Sequence, residues 1–164
     1  MQQGRVHSIF IAPAAGQPMQ AVEEASVVFG GVGFAGDRYT RGKGKLFSMG
    51  EPEPRRAVTL IALQAIEDAN TQLEVPFLAS ETRRNVVIEG VSAQDLNELI
   101  GKTFIIGRVF VRCTELCHPC SRPSKLCGKP GFKEAFTQRG GLRAEFLSSG
   151  KISVGDALTT SADF

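Results

Sequence analysis

The sequence predicts a mainly β, α+β chain built as a closed or nearly closed β-barrel with two or three peripheral helices. Three observations lead there. About seven to nine short apolar or alternating stretches are cut apart by turn residues, with 18 Gly and 8 Pro in 164 residues. Only a few segments repeat at helical spacing, and strands that outnumber helices in this way favour a barrel or sandwich. The length suits one domain, residues 1–164, able to bury about two-thirds of its unfolded surface.

Arg5–Ile11 and Met19–Phe29 read as strands, separated by Pro13, Gly16 and Pro18. Gly30–Tyr39 is a glycine-rich loop. Residues 40–56 form the longest stretch without periodicity, and a long loop inside a compact domain is more often functional than idle. Ala57–Ile61 reads as a strand. Leu63, Ile66, Ala69 and Leu73 then follow at helical spacing, which predicts a helix of about three turns. Arg84–Gly90 is a strand ending in glycine, and Asp95–Ile100 a short helical turn. Thr103–Ile106 and Arg108–Cys113 form a hairpin turning near Gly107. Phe132–Gln138 reads as a second helix with Phe132 and Phe136 on one face. Arg143–Leu147 and Ala157–Thr160 supply the last strands, joined through a turn over Gly150–Asp156.

The net charge of +2 is too small to argue for a nucleic-acid partner. Basic residues do cluster, at 38–45, 55–56, 83–84, 122–129 and 139–151. Basic groups gathered from separate loops suit a compact polyanion such as a phosphorylated cofactor; scattered solvated charge is the plainer alternative. No stretch approaches the roughly 20 apolar residues of a membrane span. The first residues, Met1–Arg5, lack the basic-then-apolar pattern of a signal peptide. The expected location is the cytoplasm, where the four cysteines stay reduced.

Thr114–Arg122 is the most informative stretch. Cys117 and Cys120 stand three residues apart with His118 and Pro119 between them, directly after a strand-like segment. Thiolates on such a loop can hold a soft metal or carry sulfur. Basic Arg122 and Lys125 nearby favour the thiolate form. Cys113 and Cys127 would complete a four-cysteine zinc site, although structural zinc normally takes its second pair from a distant segment. Mid-strand Cys113 reads more simply as buried free cysteine. Thioredoxin-like redox chemistry is disfavoured, because Pro119 sits inside the motif and no βαβ unit precedes it.

Other candidates are dispersed. Gly33, Gly36, Asp37 and Arg38 form a loop able to aim backbone N–H groups at an anion, or simply a barrel loop. Arg83 and Asn85 share one side of the expected strand and Arg84 the other. Arginine forks phosphate and asparagine reads a heterocycle edge, while the plainer reading is a solvated strand end. Arg139 and Arg143 flank Gly140 and Gly141, which mark a helix stop.

Taken in order, these pieces resemble the MOSC domains, the C-terminal module of molybdenum cofactor sulfurases that also occurs as small stand-alone proteins. The resemblance is carried by Gly33-x-x-Gly36-Asp37-Arg38-Tyr39, Val58–Ile61, Arg83-x-Asn85-Val86 with Glu89-Gly90, and Leu99-x-Gly101-Lys102. It continues in Phe104-x-x-Gly107, Leu116-Cys117-x-Pro119-Cys120, Arg139–Ala144 and Gly150-x-Ile152-x-x-Gly155-Asp156. It covers nearly the whole chain, and the ordered set is specific where each motif alone is weak.

The resemblance implies a MOSC, pyruvate-kinase-barrel-like fold that holds a molybdenum cofactor (molybdopterin), with the metal on one protein cysteine. By position in the motif that ligand is Cys120, also the expected catalytic residue. Arg83 and Asn85 match the segment that contributes to the pterin-phosphate pocket; Gly36, Asp37, Arg38, Arg139 and Arg143 are the further cofactor-binding candidates. Relatives reduce N-hydroxylated compounds, including N-hydroxylated purine bases, at that metal. The implied partners are a small N-hydroxylated substrate and a separate electron-donor protein, since no flavin, haem or nicotinamide motif is present. The larger members carry a separate N-terminal β-barrel that this chain lacks, so a homodimer partner or the 40–56 loop would complete the cradle. The alternative function is a cofactor carrier or a persulfide relay on the two thiols of the CxxC.

Overall fold

A computed structural model describes residues 4–28, 33–37 and 56–160 of the chain. The expected 40–56 loop lies outside these residues except for Arg56, as does Arg38.

The strands in order are β1 (Gly4–Ile11), β2 (Gln20–Val22), β3 (Glu24–Val28), β4 (Gly33–Phe34), β5 (Val58–Ala62) and β6 (Val86–Glu89). They continue as β7 (Thr103–Ile106), β8 (Val109–Leu116), β9 (Leu142–Phe146), β10 (Gly150–Ser153) and β11 (Ala157–Thr160). Four helices intervene: α1 (Leu63–Asn70), α2 (Ala93–Asn97), α3 (Arg122–Cys127) and α4 (Phe132–Ala135).

Seven strands close into a barrel in the order β1, β6, β5, β9, β8, β7, β11, with β11 pairing back onto β1. Closure removes the free edges that an open sheet would leave to aggregate. Every neighbouring pair is antiparallel except β5 and β6. A parallel pair needs a long crossover, and the segment carrying α1 supplies it. Fully buried on the two faces of these strands are Leu60, Ile61, Val86, Val87, Ile88, Phe104, Ile106, Leu142 and Leu158. β1 alternates buried and exposed from Gly4 to His7, then buries Ile9 and Phe10 in succession. A register shift against β6 between Val6 and Ser8 accounts for the change of phase.

Several elements depart from the sequence reading: α4 ends at Ala135 and not at Gln138, α2 spans Ala93–Asn97, and β8 runs on to Leu116. The apolar run Met19–Phe29 is two strands, because it serves two sheets: β2 pairs with β1, whereas β3 joins β10 and β4 in a separate sheet. Gly150–Ser153 is therefore a strand in register with Glu24–Val27, and the turn narrows to Gly155 and Asp156. The helix after β5 stops at Asn70 instead of Leu73. The Asn70 side chain accepts from the Phe77 N–H at 2.9 Å and donates to the Phe77 carbonyl at 3.0 Å, folding residues 71–77 back as a loop. Leu73 still packs against the core, which is why it kept helical spacing.

Helix α3 is an addition. Pro123 lies in its first turn and Gly128 ends it at φ +72°, the usual proline-inside, glycine-past-the-end asymmetry. Phe132 and Phe136 stack at 4.3 Å, and Phe77 meets them edge-on at 5.3 and 6.2 Å. No helix among the described residues is long and apolar enough to cross a membrane.

Candidate active site

The cysteine loop leaves the barrel where β8 ends. The Cys117 N–H donates to the Gly141 carbonyl at 2.8 Å, tying the start of the loop to the start of β9. A Cβ at Gly140 would stand 2.5 Å from the Cys117 carbonyl oxygen and 3.0 Å from Pro119. At Gly141 (φ +94°) it would run into the Leu60 carbonyl. These two glycines are required by close backbone approach, beyond any role in ending a helix.

Arg84 fixes the same place from below. It is 7% exposed, and its guanidinium donates to the carbonyls of Gly140 (2.7 Å), Thr82 (3.2 Å) and Cys117 (3.5 Å), while resting 5.8 Å from the centre of the Phe132 ring. Arg83 and Asn85 reach Gln17 and Phe10 while Arg84 reaches Gly140 and Cys117, and residues 83–85 precede β6, with Arg83 at a left-handed φ of +66°. An Arg beside a motif Arg is the only signal the sequence offered for this clamp.

The four cysteines have four different environments. Cys120 is exposed, Cys117 and Cys113 are buried, and Cys127 is half-buried with its Sγ 3.1 Å from the Pro123 carbonyl. Cys117 lies against the Arg143 guanidinium. Burial works against the Arg143 charge, but the Cys117 sulfur and the Glu115 carboxylate outweigh it and push the pKa up. Glu115 joins Arg143 (3.3 Å) to Arg56 (2.9 Å). Among the described residues no three His, Cys, Asp or Glu side chains converge on a common point, so the four-cysteine zinc arrangement is not assembled.

Burial pushes the Cys113 thiol up to about 11 from an ordinary value of 9.0. The neutral thiol is what the core accommodates, so its stabilisation is complete below about pH 9 and lost as pH rises through 11. The loss amounts to about 2–3 kcal/mol over that window. Denaturant titrations at pH 8, 9.5 and 11 should show this loss, and Cys113→Ala should remove that share of the pH dependence.

Three motif residues tie separate segments of the barrel together. Asn85 accepts from the Thr59 N–H and hydroxyl, both at 3.1 Å, and donates to the Phe10 carbonyl at 3.1 Å. The buried Asp37 carboxylate accepts from the Ala12 N–H at 2.8 Å, and Gly36 (φ +85°) shapes the turn that delivers it. Arg83 donates to the Gln17 carbonyl at 2.5 Å. Asn85 thus ties the end of β1 to β5, and Asp37 and Arg83 anchor the segment between β1 and β2. That segment walls a cavity of about 300 Å³, together with Ser80, Glu81, Arg83 and the Leu126–Cys127 end of α3. Arg139 donates from Nε to the Ala135 carbonyl at 2.8 Å, closing the last turn of α4.

The model of the MOSC domain family matches residues 35–159 of this sequence. The chain belongs to the MOSC domain family. Solved structures agree on the fold. The YUAD protein from Bacillus subtilis superposes with a TM-score of 0.79 at 18% identity, over 96% of this chain and 97% of that one. YiiM from Geobacillus stearothermophilus gives 0.70 at 16% identity, over 96% and 75%. YiiM from Escherichia coli gives 0.68 at 15%, over 100% and 71%. No curated protein matches the chain significantly. In this MOSC barrel the cysteine loop, the Arg84 clamp and the cavity all draw on the chain around α3.

Proposed function

We propose that this MOSC protein binds the molybdenum cofactor and reduces small N-hydroxylated compounds, purine bases among them, at a metal held by Cys120. The family's association with that cofactor gives the class of chemistry. The observation that carries the reading is local: of four cysteines, the exposed one sits on a loop fixed by Arg84, Gly140 and Gly141.

The residues present fit the group. A single exposed thiolate is a suitable soft ligand for a metal delivered inside an organic cofactor. The Arg83 guanidinium, on the wall of a cavity of about 300 Å³, supplies a cation for the cofactor's anionic end. When bound, the cofactor supplies the two-electron chemistry that removes oxygen from an N–OH group. The chain's own share is positioning. Arg84 holds the loop carbonyls, Asp37 and Arg83 hold the segment that walls the cavity, and the exposed loop leaves the substrate room to approach. Electrons come from a separate protein.

Expression in a host that makes the pterin, followed by anaerobic purification, should give molybdenum near one atom per chain. A preparation with only traces of molybdenum would refute the reading.

The alternative, a persulfide relay between Cys117 and Cys120, asks both thiols to be accessible. The burial of Cys117 against Arg143 favours the single-thiol reading. A sulfur donor should therefore add no sulfur to Cys117, as peptide mass mapping will report.

A further inference from the structure

The small net charge of the chain conceals an uneven distribution. Residues 118–139, which carry the end of the cysteine loop together with α3 and α4, hold Arg122, Lys125, Lys129, Lys133 and Arg139 against one acid, Glu134. Five bases against one acid make this segment +4 in a chain of +2, so the rest of the molecule is −2. Two of the five cations are committed: Lys129 reaches the Glu81 carboxylate at 2.5 Å and the Pro76 carbonyl at 3.0 Å, and Arg139 closes α4. Lys125 and Lys133 are exposed. Among the described residues neither they nor Arg122 meet a carboxylate.

The cations share a surface with apolar groups. The Phe132 N–H donates to the Ser124 hydroxyl at 3.1 Å, which ties α4 to α3, and Lys129 ties residues 75–81 to the same side. Val75 and Leu78 stand exposed there, Leu78 at 64%, and Leu126 is exposed on α3. These are three of the six large apolar side chains exposed among the described residues. Apolar groups rimmed by unpaired cations suit a protein partner better than bulk water does. The place matters too: exposed Cys120 stands two residues before the first residue of α3.

We propose that the α3–α4 face, with residues 75–81, is where the electron donor docks, and that the donor is a small protein with an acidic surface. This rests on the reductase reading and names the partner of that same site. Lys125, Lys133 and Arg122 steer the acidic partner in, and Leu78, Val75 and Leu126 give the short-lived contact its dry centre. Electron-transfer encounters are small and weak, so a modest face of this kind suffices. Two visits by a one-electron carrier deliver two electrons, which with two protons turn N–OH into N–H and water.

The test uses the full chain and, as probe, a small acidic [2Fe–2S] ferredoxin, with basic cytochrome c as the control of opposite charge. Binding is followed by amide NMR shifts, whatever the molybdenum content. Turnover of an N-hydroxylated substrate with reduced methyl viologen, which needs no docking, is measured separately. Ferredoxin should shift amides of α3, α4 and residues 75–81, and cytochrome c should not. Lys125→Glu and Lys133→Glu should each weaken ferredoxin binding about three- to tenfold at low salt, with the difference vanishing near 1 M salt, where the Debye length is about 3 Å. Leu78→Ser should weaken it at both salt levels. Lys151→Glu makes the same change in net charge on the separate sheet of β3 and β10, and should have little effect. Lys133→Glu should leave viologen-supported turnover unchanged. The proposal is overturned if ferredoxin shifts other surfaces or none, or if Lys151→Glu weakens binding as much as Lys133→Glu. Viologen turnover without docking at this face would sink the proposal and spare the reductase reading. A protein that docks ferredoxin here yet holds no molybdenum would keep the acidic-partner surface and sink the reductase reading instead.

Discussion

Cys120→Ser is expected to abolish molybdenum retention, and with it any reductase activity, while the fold persists. The side chain is exposed on its loop and belongs to no part of the core. Its removal therefore costs little stability, within the roughly ±0.5 kcal/mol typical of surface substitutions. The hydroxyl is a poor replacement for a soft thiolate ligand, so metal content should fall to background. Cys117→Ser is the control with the opposite profile. That sulfur is buried against Arg143, so the substitution should lower stability by about 1–2 kcal/mol and leave most of the metal bound. Metal analysis and thermal melting of both variants separate the roles. Equal loss of metal in the two would make the pair, and not Cys120, the functional unit.

The contrast between those two cysteines shows where the sequence was legible. Their spacing and the intervening proline singled out the loop, but not which thiol faces water, because that depends on how β8 hands over to the loop. The barrel was readable because β1, β5, β7, β8, β9 and β11 each carry their own alternation or apolar run, with Gly or Pro between most of them. β2 and β3 were read as one strand, since the adjacent Glu23 and Glu24 at the junction are no turn signal and the pairing of each half with a different sheet is not local information. Helix α3 was hidden in a polar, proline-containing stretch whose amphipathic signal is too short to register, although Pro123 and Gly128 bracket it. Asn85 and Asp37 were found as motif residues. Their polar atoms meet Thr59, Phe10 and Ala12, contacts between segments about 25 to 75 residues apart that no local pattern encodes.

Arg84 is the residue whose role the sequence showed least, and its loss should be felt most in stability. Arg84→Ala removes a guanidinium that serves three carbonyls, two of them in the segments that hold the cysteine loop. Leaving buried carbonyls without donors costs about 1–3 kcal/mol each where no water can replace the donor. Deleting the side chain also opens a void against Phe132. A total loss of about 3 kcal/mol or more is expected in denaturant unfolding. The local effect is the sharper readout. Amide exchange at Cys117 and Gly141 should quicken beyond what the global loss explains, because the Cys117 N–H to Gly141 bond depends on the geometry that Arg84 enforces. Arg84→Lys restores one point charge but not the fork, so it should recover part of the stability and little of the loop protection. Gly140→Ala attacks the same contact from the other side, leaving Arg84 in place while pushing the Cys117 carbonyl and Pro119 outward. Both routes should loosen the loop and weaken metal binding at Cys120 together. If Arg84→Ala lowers global stability yet leaves exchange at Cys117 and Gly141 in step with the rest of the barrel, Arg84 is a core residue and not the clamp of this site.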